Sequence, residues 1–261
     1  MLFFTLLLLL NGSTLLGKNN WIKKRERYIF CAAGRERAKK IGIIVLEFPM
    51  FTFITNNLLW AEGPEILAFL VFVFVVGLFW FRPLAYAAAG TLLGCFLFFR
   101  NPERVCAPAQ QDDSVLICPA DGRVVAVHTN ADSTQKVAIF LSVADVHVNW
   151  MPLSGVVEKT VYKPGAFFMA SSPESTVANE CMETTVVDAT GRRVCVRQIA
   201  GKIARRVRCW VREGQEVVAG QKFGMIRFGS RVEVVLPASA SIAVAVGQKV
   251  YGGATVLGRW Q

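Results

Sequence analysis

Hydrophobic and polar positions change rhythm along this chain. From Ile66 to Phe81 the sequence reads ILAFLVFVFVVGLFWF without a charge, Arg82-Pro83 interrupts it, and Leu84 to Phe99 continues as LAYAAAGTLLGCFLFF. Neither run has a polar face, so neither predicts an amphipathic helix packed on a soluble core. A helix over either run reaches about 24 Å, against about 30 Å for the hydrocarbon core of a bilayer. Two thin spans, a shallow hairpin hinged at Arg82-Pro83 and one long kinked helix all fit the pattern. From about Asn101 the rhythm becomes short β-branched runs, among them VLICPADGRVVAV, KVAIFLSV, VCVRQIAG and RVEVVLPASASIAVAVGQKV, separated by Gly, Pro, Asp and Asn. That pattern predicts strands and turns. The expected fold class is therefore mainly β with some α: an N-terminal membrane helix or hairpin, then a β-rich domain.

Composition sharpens the division. The 261 residues are 53% hydrophobic, with a mean hydropathy of +0.41, and the apolar excess lies in the first hundred residues. Three segments are expected: a basic and apolar stretch over residues 1–60, membrane-associated helices over 61–100, and a β-rich domain over 101–261, the candidate for any chemistry. The opening MLFFTLLLLL resembles a signal-peptide core but has no basic segment ahead of it, so it is not expected to be cleaved. Lys18, Lys23, Lys24, Arg25, Arg27, Arg35, Arg37, Lys39 and Lys40 place this flank in the cytoplasm by the positive-inside rule, and a hairpin returns the rest of the chain there. The net charge of +10, combined with lipid-length apolar runs, favours an anionic membrane surface as partner over nucleic acid, for which no binding motif is present. Seven cysteines with no Cys-x-x-Cys spacing, and two histidines, argue against both a metal site and a disulfide framework.

Candidate chemistry centres on Gly229-Ser230, in the run FGMIRFGSRVEVVLP. A glycine leaves its carbonyl without side-chain cover, and a tight turn ahead of a strand can hold the next hydroxyl over that carbonyl, so Ser230 is placed to attack its own peptide bond. The alternative is a plain Gly-Ser turn. His147 is the candidate acid or base, since His128 lies in the strand-like run VVAVHTN without a partner pattern. Asp145 stands two residues before His147, on the same side of an extended chain. The glycines of VREGQEVVAGQKFG (residues 211–224) are spaced as in the corner turns of lipoyl-like barrel-sandwich domains, and ASSPESTV (170–177) reads as a polar loop.

Five segments in order carry a resemblance: FFRNPER (98–104), PADGRV (119–124), SVADVHVNWMP (142–152), VYKPGAF (161–167) and FGS (228–230). Together they closely resemble the phosphatidylserine decarboxylases in their short, membrane-anchored form, over roughly Phe98 to Pro237. The resemblance implies a proenzyme that cleaves itself between Gly229 and Ser230 into a β chain of residues 1–229 and an α chain of 230–261 that stay associated. Ser230 would become a pyruvoyl group, the cofactor, whose ketone condenses with the substrate amine; no metal is expected. In this reading His147 is an acid–base residue, Asp121 orients the processing base, and Asp145, Asn179 and Glu180 support the site. Longer members carry a second histidine three residues after the first, where this chain has Trp150; the family often shows Asn-Glu-Arg where this chain has Asn179-Glu180-Cys181.

The implied activity is decarboxylation of phosphatidylserine to phosphatidylethanolamine and CO2 at the cytoplasmic face of the cell (inner) membrane. Self-association into a homo-oligomer is left open. Two alternatives differ in what they need: a membrane-anchored, non-catalytic lipoyl-like module needs a lysine at a hairpin tip between methionines, which is absent, and a pyruvoyl decarboxylase of a soluble amino acid has no use for the apolar runs.

Overall fold

The computed structural model describes residues 64–168, 178–201, 207–226 and 230–261, all within the unit Thr52–Gln261. The basic N-terminal stretch, the polar run 170–177 and Gly229 lie outside the described residues. The two apolar runs become two helices of 17 residues, α1 (Pro64–Trp80) and α2 (Arg82–Phe98). They break at Phe81, whose backbone is extended (φ −154°, ψ 88°), and Pro83 falls in the first turn of α2, where its missing N–H costs no hydrogen bond. The helices pack on each other, which excludes the one long kinked helix among the three arrangements the pattern permitted. No described helix is long and apolar enough to cross a membrane. Ala85 and Ala88 are buried, whereas Phe69, Phe72, Phe79 and Trp80 are 63–82% exposed.

After a short helix, α3 (Ala107–Gln111), the described chain is β, as its short β-branched runs predict. The largest sheet runs, in spatial order, β13 (Lys249–Val250), β2 (Gly122–Thr129), β3 (Gln135–Leu141), β11 (Ser230–Leu236), β7 (Arg193–Ile199), β6 (Cys181–Val187), β5 (Gly155–Lys163) and β9 (Glu216–Val217). A second sheet is β1 (Val115–Ile117), β14 (Val256–Trp260) and β12 (Ala240–Ile242); a third is β4 (Val148–Trp150), β10 (Lys222–Ile226) and β8 (Val207–Cys209). Every pairing between these strands is antiparallel. The turns that flank β9 place Gly214 (φ +77°) and Gly220 (φ +79°) in the left-handed region.

The central strand β11 is buried on both faces, for two different reasons. Val232, Val234 and Leu236 point into the main core with Val194 and Val196 of β7 and Ile139 of β3, and Phe223 and Ile226 of β10 close it from the third sheet. On the opposite face a row of alternating charge crosses five strands. Glu233 is fully buried and meets Arg231 at 2.9 Å, Arg197 at 2.8 Å and Lys136 at 3.8 Å. Arg197 and Lys163 in turn reach Glu183 at 2.9 and 2.8 Å. Cross-strand neighbours of opposite sign satisfy one another where a lone buried carboxylate would be costly.

Candidate active site

Ser230 opens β11, where it pairs with Leu141 at the end of β3. The side chain is fully buried, and Ser230 Oγ is the one buried hydroxyl among the described residues without a hydrogen-bond partner. An orphan of this kind costs about 1–3 kcal/mol. Its partner Gly229 lies outside the described residues. The strand that leads toward this point, β10, ends at Ile226, whose N–H donates to the His147 carbonyl at 3.2 Å. Ile226 thus lies beside His147 and Ser230 beside Leu141.

His147 is fully buried. Its Nδ1 lies 2.9 Å from the Asp145 carbonyl oxygen. A carbonyl only accepts, so the proton sits on Nδ1 and Nε2 keeps its lone pair, the tautomer that a general base needs. Burial pushes the imidazole down to about 4, against a smaller upward pull from the Asp145 carbonyl and charge and a downward one from Arg100. The ring is therefore neutral at physiological pH. Phe98, the last residue of α2, packs against it with ring centroids 4.3 Å apart, and Phe98 meets Phe99 edge-on at 5.1 Å. The helical hairpin thus ends as one wall of the site, with Phe98, Phe99 and Met225 in one buried cluster.

Asp145 helps His147 through its backbone. Its carboxylate instead accepts from Ser142 N–H (2.9 Å) and Ser142 Oγ (2.8 Å) and pairs with Lys249. Burial alone would push this carboxyl up, but those partners outweigh it and hold the pKa below its ordinary value. The Ser142–Asp145 turn is fixed by these bonds together with Asp145 N–H to Ser142 O at 2.9 Å. It sets the register between Leu141, opposite Ser230, and His147.

Asp121, in the Pro-Ala-Asp-Gly turn, is buried and held by Arg104: the guanidinium meets Oδ1 and, at 3.0 Å, Oδ2, while Gly252 N–H donates to Oδ1 at 2.9 Å. Its charge reaches His147 as one of the weaker contributions that raise the ring's pKa. Arg104 also lies over Trp150, 5.0 Å from the ring centroid. Trp150 is fully buried and fits because Gly252 and Gly253 leave room: a Cβ on Gly252 would stand 2.4 Å from Trp150 Cε3, and Gly253 sits at φ +72°. The position where longer relatives keep a second histidine is here a packed aromatic beneath an Arg–Asp pair.

Asn179 and Glu180 are buried. Asn179 bonds Phe168 in both directions, Phe168 N–H to Oδ1 at 2.8 Å and Nδ2 to Phe168 O at 2.9 Å, and Nδ2 also reaches Ala200 O at 2.7 Å. It ties the segment after Lys163-Pro164-Gly165 to the end of β7, next to the start of β11. Glu180 accepts from Val207 N–H at 3.4 Å. Sequence reasoning missed Arg104, Phe98 as a lid on His147, and the amides Asn149 and Gln198, all buried or half-buried here. Gln198 did leave a signal: it stands on the parity of Val194 and Val196, an amide where the strand's apolar face continues.

Among the described residues no group of His, Cys, Asp or Glu is arranged to hold a metal ion. The described chain is thus a β-sheet protein with an unpartnered buried serine at the head of its central strand and, six residues beyond the Leu141 that pairs with it, a neutral histidine held in one tautomer. A family model described as phosphatidylserine decarboxylase matches residues 93–258. The phosphatidylserine decarboxylase proenzyme of Syntrophus aciditrophicus (strain SB) is 41% identical over 208 residues, 76% of this chain and 95% of that protein. That of Burkholderia vietnamiensis (strain G4 / LMG 22486) is 41% identical over 165 residues, 61% and 76% of the two chains, and that of Paramagnetospirillum magneticum (strain ATCC 700264 / AMB-1) 39% over 206 residues, 75% and 84%. The chain belongs to the phosphatidylserine decarboxylase family.

Proposed function

We propose that this chain is a proenzyme that cuts itself between Gly229 and Ser230 and then converts phosphatidylserine to phosphatidylethanolamine and CO2. The observation that carries the reading is Ser230 Oγ, buried and without a partner at the head of the central strand. In the cut, Ser230 Oγ bonds to the Gly229 carbonyl carbon and the Gly229–Ser230 C–N bond breaks, the hydroxyl proton passing through a base to the departing nitrogen. Loss of the Ser230 α-proton then breaks the Cβ–Oγ bond of the resulting ester and frees Gly229 as a carboxylate, and water replaces the nitrogen at the α-carbon with release of ammonia. His147 Nε2, kept unprotonated by burial and by the Nδ1 bond, is that base in our reading, and Asp121 contributes through its charge. A pyruvoyl group fits the residues present, because a ketone at position 230 needs no donor to replace the unbonded hydroxyl. When formed, that group supplies an electron sink for the bond to the departing carboxylate. His147 Nε2 can next take a proton from the substrate's ammonium group and pass it to the carbon that loses the carboxylate.

The division into residues 1–60, 61–100 and 101–261, the α and β chains, and a lipoyl-like element over 211–224 belong to the same reading. The exposed aromatics of α1 and α2 support insertion of the hairpin into one leaflet at the cytoplasmic face of the cell membrane. The contact of Phe98 with His147 supports delivery of lipid from that leaflet. The test is intact mass of purified wild type beside Ser230→Ala. Two chains divided at Gly229 are expected from the first and one inactive chain from the second; splitting of the Ser230→Ala protein at this bond removes self-cleavage by serine.

A further inference from the structure

The Ser230 hydroxyl is one of three unsatisfied polar groups in one buried neighbourhood. Val232 of β11 pairs with Gln198 of β7, so Ser230, two residues before Val232, projects from the same sheet face as Gln198 and is its diagonal neighbour, within reach of a long side chain. Gln198 Nε2 donates to Asn149 Oδ1 at 2.8 Å and reaches the Arg208 carbonyl at 3.4 Å. A carbonyl accepts only, so the Gln198 amide orientation is determined, and that of Asn149 follows from it. What remains is one donor and one acceptor: Asn149 Nδ2 and Gln198 Oε1, both buried with no hydrogen-bond partner among the described residues. Both side chains are fully buried. The placement is built, because Gly224 on the strand beside Asn149 has no side chain where a Cβ would stand 2.7 Å from Gln198 Nε2. Left empty, such a pair costs about 1–3 kcal/mol for each atom.

We propose that Asn149 and Gln198 form the subsite for the amino-acid head group of the substrate, Asn149 Nδ2 donating to its α-carboxylate and Gln198 Oε1 accepting from its α-nitrogen. The proposal rests on the decarboxylase reading above. A carboxylate and a nitrogen on one carbon present an acceptor and a donor side by side, the complement of the two amide atoms. Neutral amides also suit the reaction: a lysine or arginine here would stabilise the carboxylate most before its charge is lost, and binding that favours the ground state does not speed the chemical step. Two amides orient the carboxylate without that penalty. Ser230 begins the strand beside the pair.

The test uses full-length, matured protein in detergent, treated with borohydride so that its ketone is reduced and lipid can bind without reacting. Titration calorimetry compares short-chain phosphatidylserine with short-chain phosphatidylethanolamine, which lacks only the carboxylate. Wild type is expected to prefer phosphatidylserine by tenfold or more. In Asn149→Leu and Gln198→Met that preference should fall to near unity, and in Asn149→Asp it should invert, since a carboxylate then faces a carboxylate. Chain splitting and hydrazide labelling of the unreduced proteins accompany each titration. Variants that split, take the label and keep the wild-type preference overturn the proposal while the decarboxylase reading stands. The same holds for a wild type that releases CO2 from phosphatidylserine yet shows no preference. If the near-isosteric Asn149→Asp does not split, the pair serves the folding of the precursor and the proposal fails. A wild type that neither splits nor releases CO2 overturns the decarboxylase reading itself.

Discussion

The hairpin of α1 and α2 and the β domain are both rich in apolar residues, and they use them in opposite directions. The hairpin turns Phe72, Phe79 and Trp80 outward and buries the small Ala85 and Ala88, whereas the β domain encloses Trp150, Phe223 and Leu236 completely. Polar groups are inverted too. The β domain buries Glu233 within an ion-pair row and leaves Ser230 Oγ, Asn149 Nδ2 and Gln198 Oε1 unsatisfied in its interior. One region is organised against water and the other toward an apolar surrounding, and they meet where Phe98 covers His147. In the function proposed above, reaction and access to lipid fall to different regions that share one wall.

The largest effect that would sharpen this contrast is on chemistry. His147→Ala is expected to slow self-cleavage, and decarboxylation in whatever fraction matures, by about a hundredfold to ten-thousandfold, the usual weight of a positioned proton-transfer group. A time course of chain splitting after cell-free synthesis, run beside CO2 release, measures both. Normal rates of each would remove the acid–base role. The core is the next place to press: Trp150→Ala should cost about 3–5 kcal/mol of stability, seen in a denaturant midpoint, because it empties a fully enclosed aromatic site.

Acid should loosen the β domain through His147. Its folded pKa is depressed to about 4 from an ordinary 6.5, so between those values the unfolded chain binds more protons than the folded one. The stability this group contributes is fully present above about pH 6.5 and is lost as the pH falls toward 4, on the order of 3 kcal/mol in all. A His147→Phe protein should show a flatter stability profile over that window; an unchanged slope would mean that other groups carry the acid sensitivity. The smallest folding effect is expected in the hairpin. Phe79→Ser combined with Trp80→Ser should move the unfolding midpoint by no more than about 0.5 kcal/mol, as surface changes do, and yet reduce partition onto anionic vesicles and turnover of vesicle-borne lipid. A large loss of stability would place these aromatics in a protein core and break the comparison.

The amino-acid sequence by itself determined the division into apolar runs and β-branched runs, because side-chain periodicity is local and survives in one dimension. It also placed Ser230, His147 and Asp121 in segments whose order carries the family resemblance. What it held open, the tertiary structure decided. Hairpin against kinked helix turned on a break at Phe81 and the packing of two helices. The help that Asp145 gives His147 proved to come from its carbonyl, with the carboxylate committed to Ser142 and Lys249. Asn179 is fixed by bonds to Phe168 and Ala200, neither of them a neighbour in sequence. Arg104 and Asp121 lie 17 positions apart, and Asn149 and Gln198 lie 49 apart. Pairings at such separations are set by strand register and sheet order, and one sequence carries no local signal of which distant residue a buried donor or acceptor will meet.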